Sequence, residues 1–340
     1  MDSLQNFWDV YGNLVLTLGT NALLALSIWL TLDCGMLAVA NAAFMGIGAY
    51  ASALLTMNYG APFSVALAGG MVMPAIVAIV IGLPVIRLSG VYLAMATLAF
   101  GEVVRVFVLN TESWTGGAMG LNGIPQYTQW WHVLLAVILV LLVLWRVRAS
   151  KIGRAFDAIR GDETAASLMG IDVRARKMQA FVAGAAIAGL AGALNAHLTF
   201  FISPGEFGFD RGVEILTMAI LGGIGGLAGP VLGACIITVL PEALRGLADY
   251  RLMVNGVILV LIVLFLPQGI WDPARFKRWL GRGRVIHRDA VPGDGTLSHQ
   301  PASWESFFAS DASATVPSDF MNEADRNQGK HSSAPFESAP

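Results

Sequence analysis

Long apolar runs alternate with short polar segments over the first 270 residues of the chain. A helix needs about 20 apolar residues to cross the hydrocarbon core of a bilayer, which is roughly 30 Å thick. Such a helix also satisfies its own backbone polar groups, which lipid cannot do. We therefore predict eight spans: Asn13–Leu32, Met36–Met57, Phe63–Leu83, Val91–Leu109, Trp131–Val147, Met178–Phe201, Val213–Leu240 and Leu252–Leu266.

The seventh run is too long and too rich in glycine to form one helix. It contains Leu221-Gly-Gly-Ile-Gly-Gly-Leu-Ala-Gly-Pro230, whose glycines and proline disfavour a continuous helix. We predict two short or re-entrant segments that meet at this break, as occurs where backbone lines a cavity or packs within protein. The stretch Asn41-Ala-Ala-Phe-Met-Gly-Ile-Gly-Ala-Tyr50 is a weaker counterpart in the first half and suggests an internal repeat. The predicted fold class is an all-α, polytopic transmembrane bundle of about 8–10 segments, some short or broken.

Basic residues predict the orientation of the bundle. Eight of them lie between the fifth and sixth runs, which places this connection in the cytoplasm: Arg146, Arg148, Lys151, Arg154, Arg160, Arg174, Arg176 and Lys177. The segment Asn110–Trp130 has no Lys or Arg and is expected to face outward. A second basic cluster, at 275–288, predicts a cytoplasmic C-terminus. A simple count gives three crossings after Lys177, which would place the C-terminus outside. Both basic clusters can be cytoplasmic only if the number of crossings changes by one, and two segments within Val213–Leu240 would supply that change.

Composition supports a lipid environment for most of the chain. Hydrophobic residues make up 56% and charged residues 13% of it, against roughly 45–50% and 25% in soluble domains. The net charge of −2 gives no general attraction to nucleic acid. From Gly281 onward the chain is rich in Ser, Ala, Pro, Asp and Gly and cannot bury enough apolar area to order itself. We predict a transmembrane domain at 1–275 and a disordered, polar cytoplasmic tail at 281–340.

No motif for enzyme chemistry or metal binding is evident. Cys34 and Cys235 lie in apolar stretches without the spacing of a redox or metal site. The chain has no HExxH, no GxSxG and no GxxxxGK[ST] phosphate loop. We therefore expect no catalytic residue, no metal site and no cofactor on this chain.

The basic connection at 148–177 has its own helical pattern. Ile152, Phe156 and Ile159 recur at positions that share one face of a helix. Asp162 is placed to cap a second short helix, Glu163–Met169, and Asp172 to cap the following span. A structured loop favours a docking site for a cytoplasmic partner. An amphipathic helix that lies on lipid headgroups is the open alternative.

Polar groups within the apolar runs are candidates for function, because burying them in lipid is costly. The charged ones are Asp33, Glu102, Arg105 and Glu214. Glu102 and Arg105 are three residues apart and are expected to pair on one helix face, with a role of Glu102 in a pathway as the alternative. His197 is expected to be a hydrogen-bonded packing residue. Asn41 and Asn255 could line a path or bond across helices, and Asn41 is favoured because it adjoins a glycine-punctuated stretch.

Several motifs together resemble a known family, over roughly Leu14–Trp271. They are the two glycine-punctuated stretches above, Arg87-Leu-Ser-Gly-Val-Tyr-Leu-Ala-Met-Ala-Thr-Leu-Ala-Phe-Gly-Glu102, Thr115-Gly-Gly-Ala-Met-Gly-Leu-Asn-Gly-Ile-Pro125, Gly153-Arg-Ala-Phe-Asp-Ala-Ile-Arg160, Glu163 with Ala165-Ala-Ser-Leu-Met-Gly170, and Leu266-Pro-Gln-Gly-Ile270. In this order they are similar to the permeases of branched-chain amino acid ABC importers. The likeness is greatest to the M-type member of their two paralogous permeases.

The resemblance implies an ATP-driven importer of Leu, Ile and Val in the cell inner membrane, in which this chain is a permease subunit and not an enzyme. The implied partners are the paralogous permease, two cytoplasmic ATPase subunits that bind ATP and Mg, an extracytoplasmic substrate-binding protein and membrane lipids. The residues implied in the ATPase-coupling loop are Arg154, Asp162, Glu163, Ala165, Ala166 and Gly170. Those implied in the translocation path are Asn41, Phe44, Gly46, Gly48, Glu102, Gly223 and Gly226.

Two other functions remain open at this point. Closely similar permeases import urea or short amides, and an ATP-independent secondary transporter or channel would also use broken helices. The chain departs from the family at Ala38-Val-Ala-Asn41, where many relatives read Ser-Leu-Gly-His, and Glu163 lies one residue too far from the alanines. The tail after Arg288 has no counterpart in the usual family pattern.

Overall fold

The structure, a computed structural model, describes residues 2–243 of the chain and the side chains of residues 12–242. The described part is almost wholly helical. Its helices are α1 (Asp2–Asp33), α2 (Asn41–Tyr59), α3 (Phe63–Val85), α4 (Gly90–Asn110), α5 (Glu112–Thr115), α6 (Trp130–Ala149), α7 (Lys151–Gly161), α8 (Glu163–Leu168), α9 (Val173–Thr199), α10 (Phe209–Gly222) and α11 (Ala228–Ala243). Short 3-10 turns at Gly117–Met119 and Pro204–Phe207 and one antiparallel pair, β1 (Leu121–Asn122) with β2 (Phe201–Ile202), connect them.

The predicted all-α polytopic bundle is confirmed. Within the described residues, five helical segments are long and apolar enough to cross a membrane: Gly12–Asp33, Phe63–Val85, Gly90–Asn110, Trp130–Ala149 and Val173–Thr199. The predicted span Leu252–Leu266, with Asn255, the second basic cluster, the C-terminus and the tail at 281–340, lies outside the described residues.

The connection between α1 and α2 corrects one predicted boundary. The span predicted from Met36 begins as a helix only at Asn41. Gly35 adopts a left-handed conformation with φ of 77°, and the Met36 N–H donates to the Thr31 carbonyl oxygen at 2.9 Å, which ends α1. Hydropathy could not detect this turn, because residues 36–40 are almost as apolar as the helices around them.

The predicted break in the seventh run is confirmed. α10 ends at Gly222 and α11 begins at Ala228, with Gly223 at a φ of 101° between them. The two helices pack against each other, and a Cβ atom on Gly222 would overlap the Gly229 backbone, while one on Gly233 would overlap the Met218 carbonyl. These two pairs of facing residues make α10 and α11 an antiparallel helical hairpin. Two segments in place of one are compatible with the charge pattern, and the orientation of the C-terminus stays a prediction.

α9 lies at the centre of the bundle and packs against α1, α2 and α3. Its small residues permit very close contacts. A Cβ atom on Gly189 would overlap the Gly70 carbonyl of α3, and one on Gly192 would overlap the Met45 carbonyl of α2. On the α2 side, a Cβ atom on Gly48 would overlap the Gly189 backbone. Close backbone approach of this kind associates helices in lipid, where the hydrophobic effect does not.

The outer helices α3, α4 and α6 have broad apolar surfaces. In the most apolar 18-residue stretch of each helix, only 28%, 17% and 22% of α3, α4 and α6 is buried, respectively. The corresponding stretch of α9 is 78% buried. The large exposed apolar side chains of α3, α4 and α6 are mainly Val, Leu and Ile. Such surfaces suit contact with lipid or with another membrane-spanning subunit.

We expect Gly189→Leu to destabilise the bundle, because the new side chain has no space between α9 and α3. Overpacking of a dense interior costs about 1–3 kcal/mol. The apparent unfolding temperature of the protein in detergent should fall by several degrees. Gly101→Leu is the matched control, since nothing lies within 4 Å of a Cβ atom at Gly101. Equal unfolding temperatures for the two variants would contradict the central position of α9.

Candidate functional site

The basic connection folds into two helices, and α7 packs onto the bundle. The Ser150 hydroxyl caps α7 by accepting the Ile152 N–H at 3.1 Å. Phe156 and Ile159 are each 2% exposed, so the predicted apolar face is confirmed. This face joins the core of the protein, and α7 contacts α1, α6 and α9. The arrangement disfavours the alternative in which the face lies on lipid headgroups.

α8 follows at once and carries an apolar tip. As predicted, Asp162 caps it, and its carboxylate accepts the N–H groups of Thr164 and Ala165 at 2.8 and 3.1 Å. Ala166 is buried against the protein, whereas Leu168 and Met169 are 84% and 85% exposed. α8 is thus fixed on one side and presents two large apolar side chains on the other. We call Leu168 and Met169 the α8 tip.

An ion pair between a buried ammonium and a half-exposed carboxylate joins α8 to α9. The Lys177 ammonium lies close to the Glu163 carboxylate, and only 6% of the Lys177 side chain is exposed. A buried ammonium needs such a partner, so Glu163 cannot be removed without leaving an uncompensated charge. Asp172 caps α9 by accepting the Ala175 N–H at 3.0 Å, as predicted. Of the other predicted coupling residues, Arg154 and Ala165 are exposed, and Gly170 ends the α8 turn with φ of 81°.

A second charged cluster joins α7 to the end of α1. Asp33 has only 3% of its side chain exposed, and its carboxylate lies 3.1 Å from an Arg160 nitrogen and 3.8 Å from an Arg148 nitrogen. Arg160 also donates to Asp157 at 3.1 Å. The turn at Gly35 lets the chain approach, since a Cβ atom there would lie 3.2 Å from the Arg160 Cα. We call Asp33, Arg148 and Arg160 the Asp33 cluster.

Arg148 extends this cluster to the glycine-rich break. Its guanidinium carbon lies 5.3 Å from the centre of the Trp29 ring, and it donates to the Gly225 carbonyl oxygen at 3.3 Å. The Trp29 indole N–H donates to the neighbouring Ile224 carbonyl oxygen at 3.0 Å. The turn of the α10–α11 hairpin is therefore held against α1 and the end of α6. Sequence reasoning identified Asp33 and the eight basic residues separately and did not predict that they meet.

The predicted path residues on α2 lie in helix contacts. The Asn41 amide donates to the Ser27 hydroxyl of α1 at 2.7 Å. Phe44 packs between Phe100 and Phe181, with ring centres 5.6 and 5.4 Å away. Gly46 faces the Phe207 ring, where a Cβ atom would lie 2.8 Å from the ring, and Gly48 lies against α9. The role of these residues in a path stays a prediction.

Glu102 forms the ion pair that its spacing predicted, with Arg105 at 2.9 Å. Its other oxygen accepts the Phe209 N–H at 3.1 Å, which caps the start of α10. Gly223 and Gly226, the last two residues predicted to line the path, lie in the turn between α10 and α11. His197 is fully buried and bonds to Ser52 and to the Pro125 carbonyl, both at 2.9 Å, so it is the packing residue that was expected.

A polar network that sequence reasoning missed joins α1, α10 and α11. Arg211 lies 2.6 Å from both Glu214 and the Asn21 amide oxygen, and the Asn21 amide donates to Thr238 at 2.9 Å. A cavity of about 430 Å³ adjoins Arg211. Of this network, the sequence pattern singles out only Glu214. The other members carry no signal, because a single Asn or Thr in a helix forms no pattern.

Glu206 borders the same cavity. Partial burial raises the pKa of its carboxyl, and nearby Arg211 opposes that shift. A carboxylate that has lost part of its hydration is stabilised by an added cation. Within residues 12–242, at this cavity or outside it, no group of three or more His, Cys, Asp or Glu side chains is placed to hold a metal ion.

Comparison with known proteins agrees with this architecture. The family described as the permease component of the branched-chain amino acid transport system matches residues 10–266. The chain is 34% identical over 304 residues to LivM of Escherichia coli strain K12, a high-affinity branched-chain amino acid transport system permease protein. The aligned region covers 79% of this chain and 70% of LivM. The chain is also 36% identical over 143 residues to LivH of Salmonella typhimurium. That aligned region covers 41% of this chain and 45% of LivH. No solved structure is significantly similar.

The family match spans most of the described bundle, and the similarity to LivM extends over most of the chain. BraD of Pseudomonas aeruginosa, another permease protein of such a system, is 34% identical over 164 residues, which are 45% of this chain and 51% of BraD. These relatives are named as permease proteins of high-affinity branched-chain amino acid transport systems. The chain therefore belongs to the family of branched-chain amino acid transport permeases, as a multi-pass membrane subunit of the M type.

Proposed function

We propose that this chain is the M-type permease subunit of an ATP-driven importer of Leu, Ile and Val in the cell inner membrane. Its partners are a paralogous permease, two cytoplasmic ATPase subunits and an extracytoplasmic substrate-binding protein. The observation that carries the proposal is the α8 tip. Leu168 and Met169 project from a short helix that is fixed by the Asp162 cap and by the Glu163–Lys177 pair. An exposed apolar pair on a rigid support is suited to a protein partner.

The coupling proceeds through two contacts of the basic connection. When the ATPase subunits bind ATP and close, α8 moves, and the Glu163–Lys177 pair carries that displacement into α9. α7 moves with α8 and displaces Asp33 through Arg160, and Arg148 passes this on to the turn at Gly225. Densely packed helices transmit such shifts as rigid units.

The transport step is a change between outward-open and inward-open arrangements of the two permeases. ATP favours one arrangement only to the extent that it binds the ATPase pair better in that arrangement. The α10–α11 hairpin is the element suited to move, because its turn contacts the Asp33 cluster and its other end contacts α1 at Asn21.

Uptake of labelled amino acids into vesicles that contain the assembled complex tests the proposed function. Leucine should accumulate only when ATP is supplied to the ATPase side, and an ionophore that removes the ion gradient should leave uptake unchanged. Uptake that persists without ATP and ends with the gradient would establish a secondary transporter instead. Accumulation of urea or a short amide in place of Leu, Ile and Val would reject the substrate assignment alone.

We expect the double variant Leu168→Ser with Met169→Ser to release the ATPase subunits from the complex without unfolding the chain. Both side chains are more than four-fifths exposed, so their loss removes no internal contact. Co-purification of the ATPase subunits should fall several-fold. Trp114→Ser with Met119→Ser is a matched control, because these exposed apolar residues lie on the segment predicted to face outward. Equal retention of the ATPase subunits by both variants would reject α8 as the docking element.

Asp33→Asn is expected to uncouple ATP hydrolysis from transport. The change leaves Arg148 and Arg160 without their buried counter-charge, so α7 is no longer tied to α1. The number of ATP molecules hydrolysed per leucine imported should rise several-fold. Asp157→Asn is the control, since it removes only the exposed partner of Arg160. A ratio that is unchanged in Asp33→Asn would show that the Asp33 cluster has no part in coupling.

A further inference from the structure

The cavity beside Arg211 is an open cleft that is lined mostly by polar residues. It has a volume of about 430 Å³ and lies between α1, α9, α10 and the Pro204–Phe207 turn. Its polar lining residues are Thr17, Asn195, Thr199, Glu206, Asp210, Arg211 and Glu214. Thr17 and Asn195 belong to helices that are long enough to cross the membrane. Arg211 is only 22% exposed and contacts Asn21 of one such helix, so it is a candidate for a substrate pathway.

The cavity lies at the end of α9 opposite the basic connection. Asn195 and Thr199 line it near the end of α9, whereas Lys177 lies near the start of that helix. The positive-inside rule assigns the basic connection to the cytoplasm, so the cavity belongs to the outward half of the bundle. A substrate that arrives from outside would reach this cavity first.

Arg211 retains hydrogen-bonding capacity after its protein contacts are counted. Its two terminal nitrogens meet Glu214 and Asn21, and 22% of its side chain is exposed. A guanidinium has five N–H donors in a planar fork, so further donors remain for a planar anion such as a carboxylate.

The negative groups outnumber the positive one. Glu206, Asp210 and Glu214 line the cavity. Within the described residues, the carboxylates of Glu206 and Asp210 accept no hydrogen bond. The site can therefore accept a cationic group beside an anionic one. Met45 supplies an apolar wall.

We propose that this cavity binds the zwitterionic head group of the transported amino acid. Arg211 binds the α-carboxylate, the carboxylates of Glu206 and Asp210 bind the α-ammonium group, and Met45 lies against the aliphatic side chain. This proposal rests on the proposed function, since it concerns the substrate of the same transporter. A neutral molecule such as urea would gain little from paired charges of opposite sign.

A cysteine at Asn195 tests the proposal by ligand protection. Asn195 lines the cavity and is half-buried. Cys34 is fully buried, and burial raises the pKa of its thiol to about 12, so it should not react at neutral pH. Cys235→Ser removes the other native thiol. The labelling rate of Asn195→Cys by a small maleimide is measured in membrane vesicles that contain the full complex, without its binding protein.

Leucine at millimolar concentration should slow this labelling at least threefold. Leucinamide, which lacks the carboxylate, and 4-methylpentanoate, which lacks the ammonium group, should protect much less. When Arg211→Gln is added, protection by leucine should fall to the level of leucinamide, while protection by leucinamide stays the same. Ser113→Cys, exposed on α5, should label at one rate under all conditions.

Several outcomes would overturn the proposal. In the first, leucine gives no protection, and in the second, the three compounds protect equally. In the third, protection by leucine and by leucinamide falls equally in Arg211→Gln, which would indicate that Arg211 has only a structural role. ATP-dependent uptake of leucine with the binding protein is measured on the same vesicles. If uptake is intact but protection is absent, the cavity assignment is wrong and the proposed function stands. If uptake needs no ATP, the proposed function itself is wrong.

Discussion

The close approach of α9 to its neighbours is the constraint on which the other features depend. Lipid removes the usual hydrophobic drive for helices to associate, so contact must come from packing. Gly189 and Gly192 bring α9 directly onto the backbones of α3 and α2, and a Cβ atom on Gly184 would lie only 2.9 Å from the Ser27 carbonyl oxygen of α1. With these four helices fixed, little freedom remains for the elements attached to their ends. The basic connection, which leads into α9, is held in place by that helix.

Two charged clusters mark opposite ends of this bundle, and one element touches both. The Asp33 cluster contacts the turn of the α10–α11 hairpin through Arg148, while Arg211 and Thr238 hold the other end of the hairpin to Asn21. Charged groups in an apolar interior are stable only when paired, so each contact has a strong preference for its present partner. The α10–α11 hairpin is thus held at both of its ends. The hairpin therefore connects the predicted coupling loop with the cavity beside Arg211, although the loop and the cavity lie at opposite ends of α9.

The interruption between α10 and α11 has two physical roles. Glycines at 222, 229 and 233 let the two short helices approach closely, and Gly223 adopts a φ of 101° that other residues rarely reach. The exposed carbonyl oxygens at Ile224 and Gly225 would be costly in lipid, but Trp29 and Arg148 donate to them. The same irregular backbone that would be unstable in a lipid-facing helix is thus stabilised by contacts with α1 and α6.

Features that depend on neighbouring residues were determined by the sequence alone. The apolar runs predicted the helices, the Asp162 and Asp172 caps followed from residue type, and the glycine-rich stretch predicted the break. Only the tertiary structure decided which distant groups meet. Asp33 pairs with Arg160 across 127 positions, and Arg211 bonds to Asn21 across 190. Helical periodicity carries no information about such separations, since they depend on how whole helices pack. The start of α2 likewise depended on the turn at Gly35, which hydropathy does not record.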